Sequence, residues 1–83
     1  MDIHPAASKH GVDDEDIFHA IDNAMAVADL GDGRILHLGP DRSASLLEVI
    51  VQERQGNCPL VIHAMVMRKK YETYLHTLEG DDG

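Results

Sequence analysis

The chain has 83 residues, with 15 Asp plus Glu against 7 Lys plus Arg and a formal net charge of -8. A chain this short makes one small domain over 1–83, burying about 60–65% of the surface its unfolded form exposes, so its stability margin is thin. The acidity counts against generic nucleic-acid binding, and the lone Cys58 excludes an intramolecular disulfide and suits a reducing, cytoplasmic compartment. No apolar run is long enough for a membrane span, and the first ten residues do not read as a signal peptide.

Residues 1–8 are polar, contain Pro5 and read as a loose, flexible lead-in. Lys9-His10-Gly11-Val12 then runs into Asp13-Asp14-Glu15-Asp16. This pattern predicts a helix with Asp13 as its cap, Asp16 as the acid of a short capping box, and Val12 packed on Ile17 as a staple. The acids suit the positive end of the helix dipole, and capping is the plain account of their clustering. Ile17, Ala20, Ile21, Ala24 and Met25 recur at helical spacing as the buried stripe, with Phe18 at its edge. The helix is expected to end near 24–26. A strand over 27–30, a turn at Gly31-Asp32-Gly33 and a return strand over 34–38 make a hairpin. The turn has either two or three residues, a choice that decides which side chains share a face. Gly39 to Ala44 carries strong breakers and reads as a loop.

The longest strand is expected over 45–54, with Leu47, Val49 and Val51 on its buried face and Glu48 and Gln52 on its wet one. After a turn at Gln55-Gly56-Asn57, Pro59 opens a fourth strand. Leu60, Ile62 and Ala64 share one face and Val61, His63 and Met65 the other, both apolar enough for a central strand. Arg68-Lys69-Lys70 start a last helix over 67–78, with Tyr71, Tyr74, Leu75 and Leu78 as its buried stripe. Residues 79–83 read as a flexible acidic tail. The short connections favour antiparallel neighbours. The expected fold is α+β: a four-stranded, mainly antiparallel sheet with an N-terminal and a C-terminal helix packed on it.

Six histidines invite a metal. No pair has HExxH spacing and no cysteine pair exists for a zinc ribbon, so scattered surface histidines are expected and no metal or other cofactor is implied. No Ser or Cys stands in a nucleophile elbow. His63 lies mid-strand between apolar neighbours. It is either a core histidine bonded to backbone or a general acid/base on an open face. Arg68, Lys69 and Lys70 oppose the dipole of the helix they start. They either bind phosphate together with the helix N-terminus, or form a solvated face with local pairs such as Arg68 with Glu72.

The succession of these segments resembles a known family. Lys9-His10-Gly11-Val12 before an acid-capped helix, a hairpin ending in Leu38-Gly39, a strand from Leu46 to Glu53, and Ile62-His63-Ala64-Met65 leading to a basic segment with Tyr71 together resemble the BrnT-type toxins. These are small ribonucleases of bacterial type II toxin–antitoxin systems with a RelE-like fold. The resemblance runs from Lys9 to Tyr74 in short motifs. It implies metal-independent RNA cleavage and an antitoxin protein as neutralising partner. Lys9 and His10 match the family's Lys-His opening. Ile62-His63-Ala64-Met65 stands where the family has Ile-Ser-Ala-Arg, so His63 replaces a serine and Met65 an arginine, with Arg68 one helical turn on. On this reading His63 and His10 handle protons and Arg68 offsets phosphate charge as the third catalytic group. Lys9 and Lys69 contact RNA, and Tyr71 stacks on a base. His10, His63 and Arg68 are expected to meet where the fourth strand enters the last helix, if both helices pack on one face. The alternative is a non-catalytic interaction module, a homodimer or half of a protein pair, with an edge strand as its interface.

Overall fold

The computed structural model describes residues 1–80, with side chains as far as His76. It shows an α+β fold with five strands rather than the expected four. Across the sheet they run β1 (Asp2–Ile3), β5 (Leu60–Val66), β4 (Leu46–Gln52), β3 (Arg34–Pro40) and β2 (Ala26–Gly31). The four long strands are antiparallel to their neighbours, whereas β1 lies parallel to β5. The strand that sequence reading missed sits in the supposed lead-in, which also holds a 3-10 turn, Pro5–Ser8. Asp2 N–H donates to the Pro59 carbonyl at 3.1 Å and His4 N–H to the Val61 carbonyl at 2.8 Å. Asp2 also pairs with Arg54 at 3.1 Å, and Ala7 is fully buried in the core. These partners lie about half the chain or more away in sequence, so no local pattern announces them.

The first helix, α1 (Asp14–Asp22), starts where the acids predict and ends short of 24–26, with Asn23 closing its last turn onto the His19 carbonyl. Val12 and Ile17 share one apolar cluster, as a staple requires. The hairpin turn has two residues, Asp32 and Gly33, with φ of +56° and +76°. That left-handed pair suits the twist of the flanking strands and sets Gly31 opposite Arg34. β3 does not stop at Leu38. Gly39 and Pro40 continue it, opposite Leu47 and Leu46, so the expected loop begins only at Asp41. Glycine is needed at 39 because α1 crosses β3 there. A Cβ would overlap the Ala20 carbonyl oxygen and come within 3.0 Å of Ala24 Cα.

Alternation along the strands splits the core in two. Leu47, Val49, Val51, Val61 and Ala64 face α1 and pack with Ala7, Ile17 and Ala20. Ala26, Leu36, Leu38 and Ile50 face the other way and pack with Met67, Tyr71, Tyr74 and Leu75. The two helices therefore lie on opposite faces, not on one. Met67, one residue past β5, draws the following chain to the second face.

Inside β5 a bulge corrects the expected alternation. Ile50 pairs with His63 but Val51 with Val61, leaving Ile62 as the extra residue. Val61 and Ala64 both face α1, three positions apart. The last helix, α2 (Glu72–Gly80), is preceded by a 3-10 turn at Lys69–Tyr71, and Arg68 is still extended with φ -85° and ψ 152°. The basic triplet thus leads into a turn and does not open the helix. The Leu78 side chain expected in the stripe and residues 81–83 of the expected 79–83 tail lie outside what is described, whereas residues 79–80 belong to α2. No helix among the described residues is long and apolar enough to cross a membrane.

Candidate active site

The second face changes character across its width. Over β2 and β3 it is apolar. On β4 and β5 it carries Glu48, whose side chain is 0% exposed. Glu48 is the one buried charged residue among those described. A carboxylate removed from water needs its lone pairs filled, and two segments supply the donors. His63, two residues along β5 from Glu48's register partner Met65, brings Nε2 to Oε2 at 2.7 Å. Arg68, just beyond β5, wraps the same group. Its backbone N–H donates to Oε1 at 2.8 Å, Nε to both oxygens at 3.1 and 3.2 Å, and Nη2 to Oε2 at 2.7 Å.

Burial pushes the Glu48 carboxyl up. The hydrogen bonds from the Arg68 side chain and backbone and from His63, with the Arg68 charge, outweigh that and hold it below its ordinary value. The same hydrogen bond raises the Arg68 guanidinium. The partners are not buried with it: the His63 side chain is 21% exposed and that of Arg68 44%. Glu48 is thus a hidden anchor beneath two groups that reach the surface.

A third group joins from the far end of the chain. The turn Pro5–Ser8 packs along β5, and the loop after it sets the exposed His10 ring edge-on to His63, 5.9 Å between centroids at 79°. His63 and Arg68 are thus linked through Glu48, and His10 joins the cluster through the His63 ring. The three meet although α1 and α2 lie on opposite faces, because His10 comes round the sheet edge beyond the short β1. Lys9 and Lys69 are exposed beside His10 and Arg68. Tyr71 is half-buried in the second apolar cluster, with the Arg68 Cζ 5.7 Å and the Lys70 Nζ 5.0 Å from its ring centre. The local Arg68–Glu72 pair that helical spacing suggests gives way to the long-range pair with Glu48.

Sequence reading assigned Glu48 to a wet strand face and missed it. The one available signal was a lone acid inside the aliphatic run Leu46-Leu47-Glu48-Val49-Ile50-Val51.

The acid cluster at the start of α1 also has a different role from simple capping. Asp13 makes no side-chain cap bond. Asp13, Glu15 and Asp16 all pair with Arg42, and Asp16 also accepts the Arg42 backbone N–H at 2.9 Å. The Arg42 hydrogen bonds hold the Asp16 carboxyl below its usual range. The acids are thereby partly neutralised instead of facing His10 and Lys9 uncompensated. On β3, burial pushes the half-buried His37 below its ordinary value, and its Nδ1 has no hydrogen-bond partner among the described residues. No group of three or more His, Cys, Asp or Glu among the described residues is arranged to hold a metal ion. No family model, curated protein or solved structure matches the chain.

Proposed function

We propose that this protein is a metal-independent endoribonuclease of the toxin type, acting in the cytoplasm and held in check by an antitoxin protein. The observation that carries the reading is the pair of adjacent imidazoles, His10 and His63, next to an arginine and above a buried carboxylate. RNA carries its own nucleophile, the 2′-hydroxyl. Cleavage needs one group to take its proton, cationic groups to offset the phosphate, and one group to protonate the leaving oxygen. His63 takes the 2′-hydroxyl proton as the 2′-oxygen bonds to phosphorus. The P–O5′ bond breaks, and protonated His10 gives its proton to O5′. The products are a 2′,3′-cyclic phosphate and a 5′-hydroxyl, and the site ends with one proton moved from His10 to His63. Arg68 and Lys69 offset the phosphate charge, Lys9 holds the flanking backbone, and Tyr71 is the aromatic platform on which Arg68 and Lys70 are set.

The two departures from the BrnT pattern fit this chemistry. His63 brings an imidazole where the family has Ser. Met65, where the family has Arg, lies directly opposite Glu48 in register, and Arg68 meets that carboxylate from three residues on. The test is incubation of purified protein with RNA in excess chelator, with a chimaeric substrate carrying a single ribonucleotide in DNA. Cleavage 3′ of the ribonucleotide with a cyclic phosphate end is expected. No cleavage, or cleavage unchanged in His63→Ala, overturns the reading.

A non-catalytic interaction module draws support from a different observation. β2 pairs on one side only, and near it Met25 and Val27 are 54% and 60% exposed. Such an edge suits a second copy or an antitoxin strand. Light scattering after size exclusion separates these: a strict monomer at micromolar concentration removes the homodimer.

A further inference from the structure

We propose that Glu48 is the positioning residue of this site: it fixes His63 with Nε2–H turned inward, so that Nδ1 is the proton-accepting atom, and it leaves Arg68 its Nη1 and second Nη2 N–H groups for phosphate. The proposal rests on the ribonuclease reading and names the atoms that reading uses.

The geometry runs one way. Glu48 is fully buried, so it touches no substrate. Arg68 is donor-only and places three donors, its backbone N–H, Nε and Nη2, on the two carboxylate oxygens. A group so surrounded is an ionised acceptor. The nitrogen 2.7 Å from it must therefore carry a proton, and that nitrogen is His63 Nε2. In a neutral imidazole the lone pair then sits on Nδ1. Nδ1 takes no part in the Glu48 contact and belongs to the ring that meets His10 edge-on. With His63 neutral, the charges of Glu48 and Arg68 cancel. When Nδ1 takes a proton the cluster gains one positive charge, at the moment charge builds on the phosphate.

Glu48→Leu turns this into a test. It removes the acceptor with little change of side-chain volume, whereas glutamine could still offer its carbonyl at the Oε2 position, where His63 Nε2 and Arg68 Nη2 both donate. With no acceptor at Nε2, nothing fixes the His63 tautomer or ring orientation, and Nδ1 is no longer reserved as the base. Two readouts follow: imidazole ¹⁵N shifts, which report the tautomer without any activity, and steady-state cleavage of the single-ribonucleotide substrate.

The expected results are a single Nε2–H tautomer in the native protein and a mixture of tautomers in Glu48→Leu. The kcat of Glu48→Leu should fall about 100-fold with KM within about twofold, as suits a proton-transfer group no longer held in place. Glu48→Asp keeps an ionised acceptor and should keep the Nε2–H tautomer. An Nδ1–H tautomer in the native protein overturns the proposal, as does Glu48→Leu cutting at the native rate. If Glu48→Leu does not fold, the native tautomer and Glu48→Asp decide. If the native protein cuts no RNA, the ribonuclease reading fails, while the ¹⁵N shifts still support or overturn the fixed orientation of His63.

Discussion

The two faces of the sheet use the same strands for different ends. Toward α1, β4 presents Leu47, Val49 and Val51, each at most 4% exposed, against an entirely apolar cluster. Away from α1, the same strand presents Glu48 between Leu46 and Ile50. The first face is stabilised by area, about 25 cal/mol per Å² of apolar surface, and is indifferent to fine angles. The second is stabilised only while each donor meets its acceptor. Stability and chemistry are thus assigned to opposite sides of one strand, one residue apart in the alternation, and substitutions can separate them.

The largest expected effect is on the polar face. His63→Ala is expected to lower RNA cleavage by about 10²–10⁴-fold, the usual worth of one acid–base group. The urea midpoint should move little, because Glu48 keeps its three Arg68 donors. A loss of stability matching that of a core variant would break the division between the faces. Gly39→Ala is the mirror case. Its Cβ would force α1 off β3 at Ala20 and Ala24. Overpacking of this kind costs about 3 kcal/mol, read as a lower urea midpoint at unchanged cleavage per folded molecule. A Gly39→Ala variant as stable as the native chain would mean that α1 does not approach the sheet this closely.

The same division explains what the sequence made legible. The Val12–Ile17 staple, the Asp32-Gly33 turn and the Leu47, Val49, Val51 stripe are all local patterns, and each appears where it was expected. The Asp2–Ile3 strand, the bulge at Ile62 and the burial of Glu48 depend on segments that meet only in the fold. Period-two alternation correctly put Glu48 opposite the Leu47 stripe. It could not show that the chain after Val66 turns back over that face and seals it with Arg68. His63 was legible as a candidate from its apolar neighbours and His10 only from the resemblance of Lys9-His10 to the BrnT opening, and their meeting was expected by way of two helices on one face but comes about round the sheet edge instead.

Glu48→Ala probes that hidden anchor directly. It removes the acceptor for three Arg68 donors and for His63, and Arg68, being 44% exposed, can turn to water. The loss is expected at about 2–3 kcal/mol at neutral pH. The pH dependence has a definite sign. Burial pushes the Glu48 carboxyl up, but Arg68 and His63 hold it below its ordinary 4.5 in the folded state. Its contribution is therefore full above pH 4.5 and is lost as pH falls through the lowered value. Chemical unfolding of Glu48→Ala should show a shallower loss below pH 4.5 than the native chain.

A smaller pH effect belongs to the apolar face. Burial holds the folded His37 below its ordinary 6.5. The unfolded chain then binds a proton that the folded one refuses, so stability is full above pH 6.5 and declines as pH drops toward the lowered value. His37→Leu should flatten this part of the curve and leave the region below 4.5, where carboxylates titrate, as it was. An unchanged slope just below pH 6.5 would place the titrating group elsewhere.

The smallest effect is expected at Arg42, and it sharpens the contrast with Arg68. Both arginines sit on carboxylates from distant segments, and Arg42 has the larger number, three. Its side chain is 47% exposed, those of Asp13 and Glu15 are 75% and 78% exposed, and only that of Asp16, at 20%, is drawn in. Water and salt already solvate Arg42, Asp13 and Glu15, so little is gained by pairing them. Removing the guanidinium leaves the acids at the positive end of α1, where the helix dipole favours them. The bond from the residue 42 backbone N–H to Asp16 survives in Arg42→Ala, so the loop stays tied to the helix. The urea midpoint should therefore drop slightly at low ionic strength and match the native chain in about 0.5 M salt, where exposed charges are screened within a few ångströms. Arg68→Ala leaves Glu48 only His63 and the residue 68 backbone N–H as donors, in a buried place that salt does not screen, and its loss should persist at the same salt concentration. Equal salt sensitivity of the two variants would mean that Glu48 is hydrated after all, and that the two faces of the sheet are less different than their packing shows.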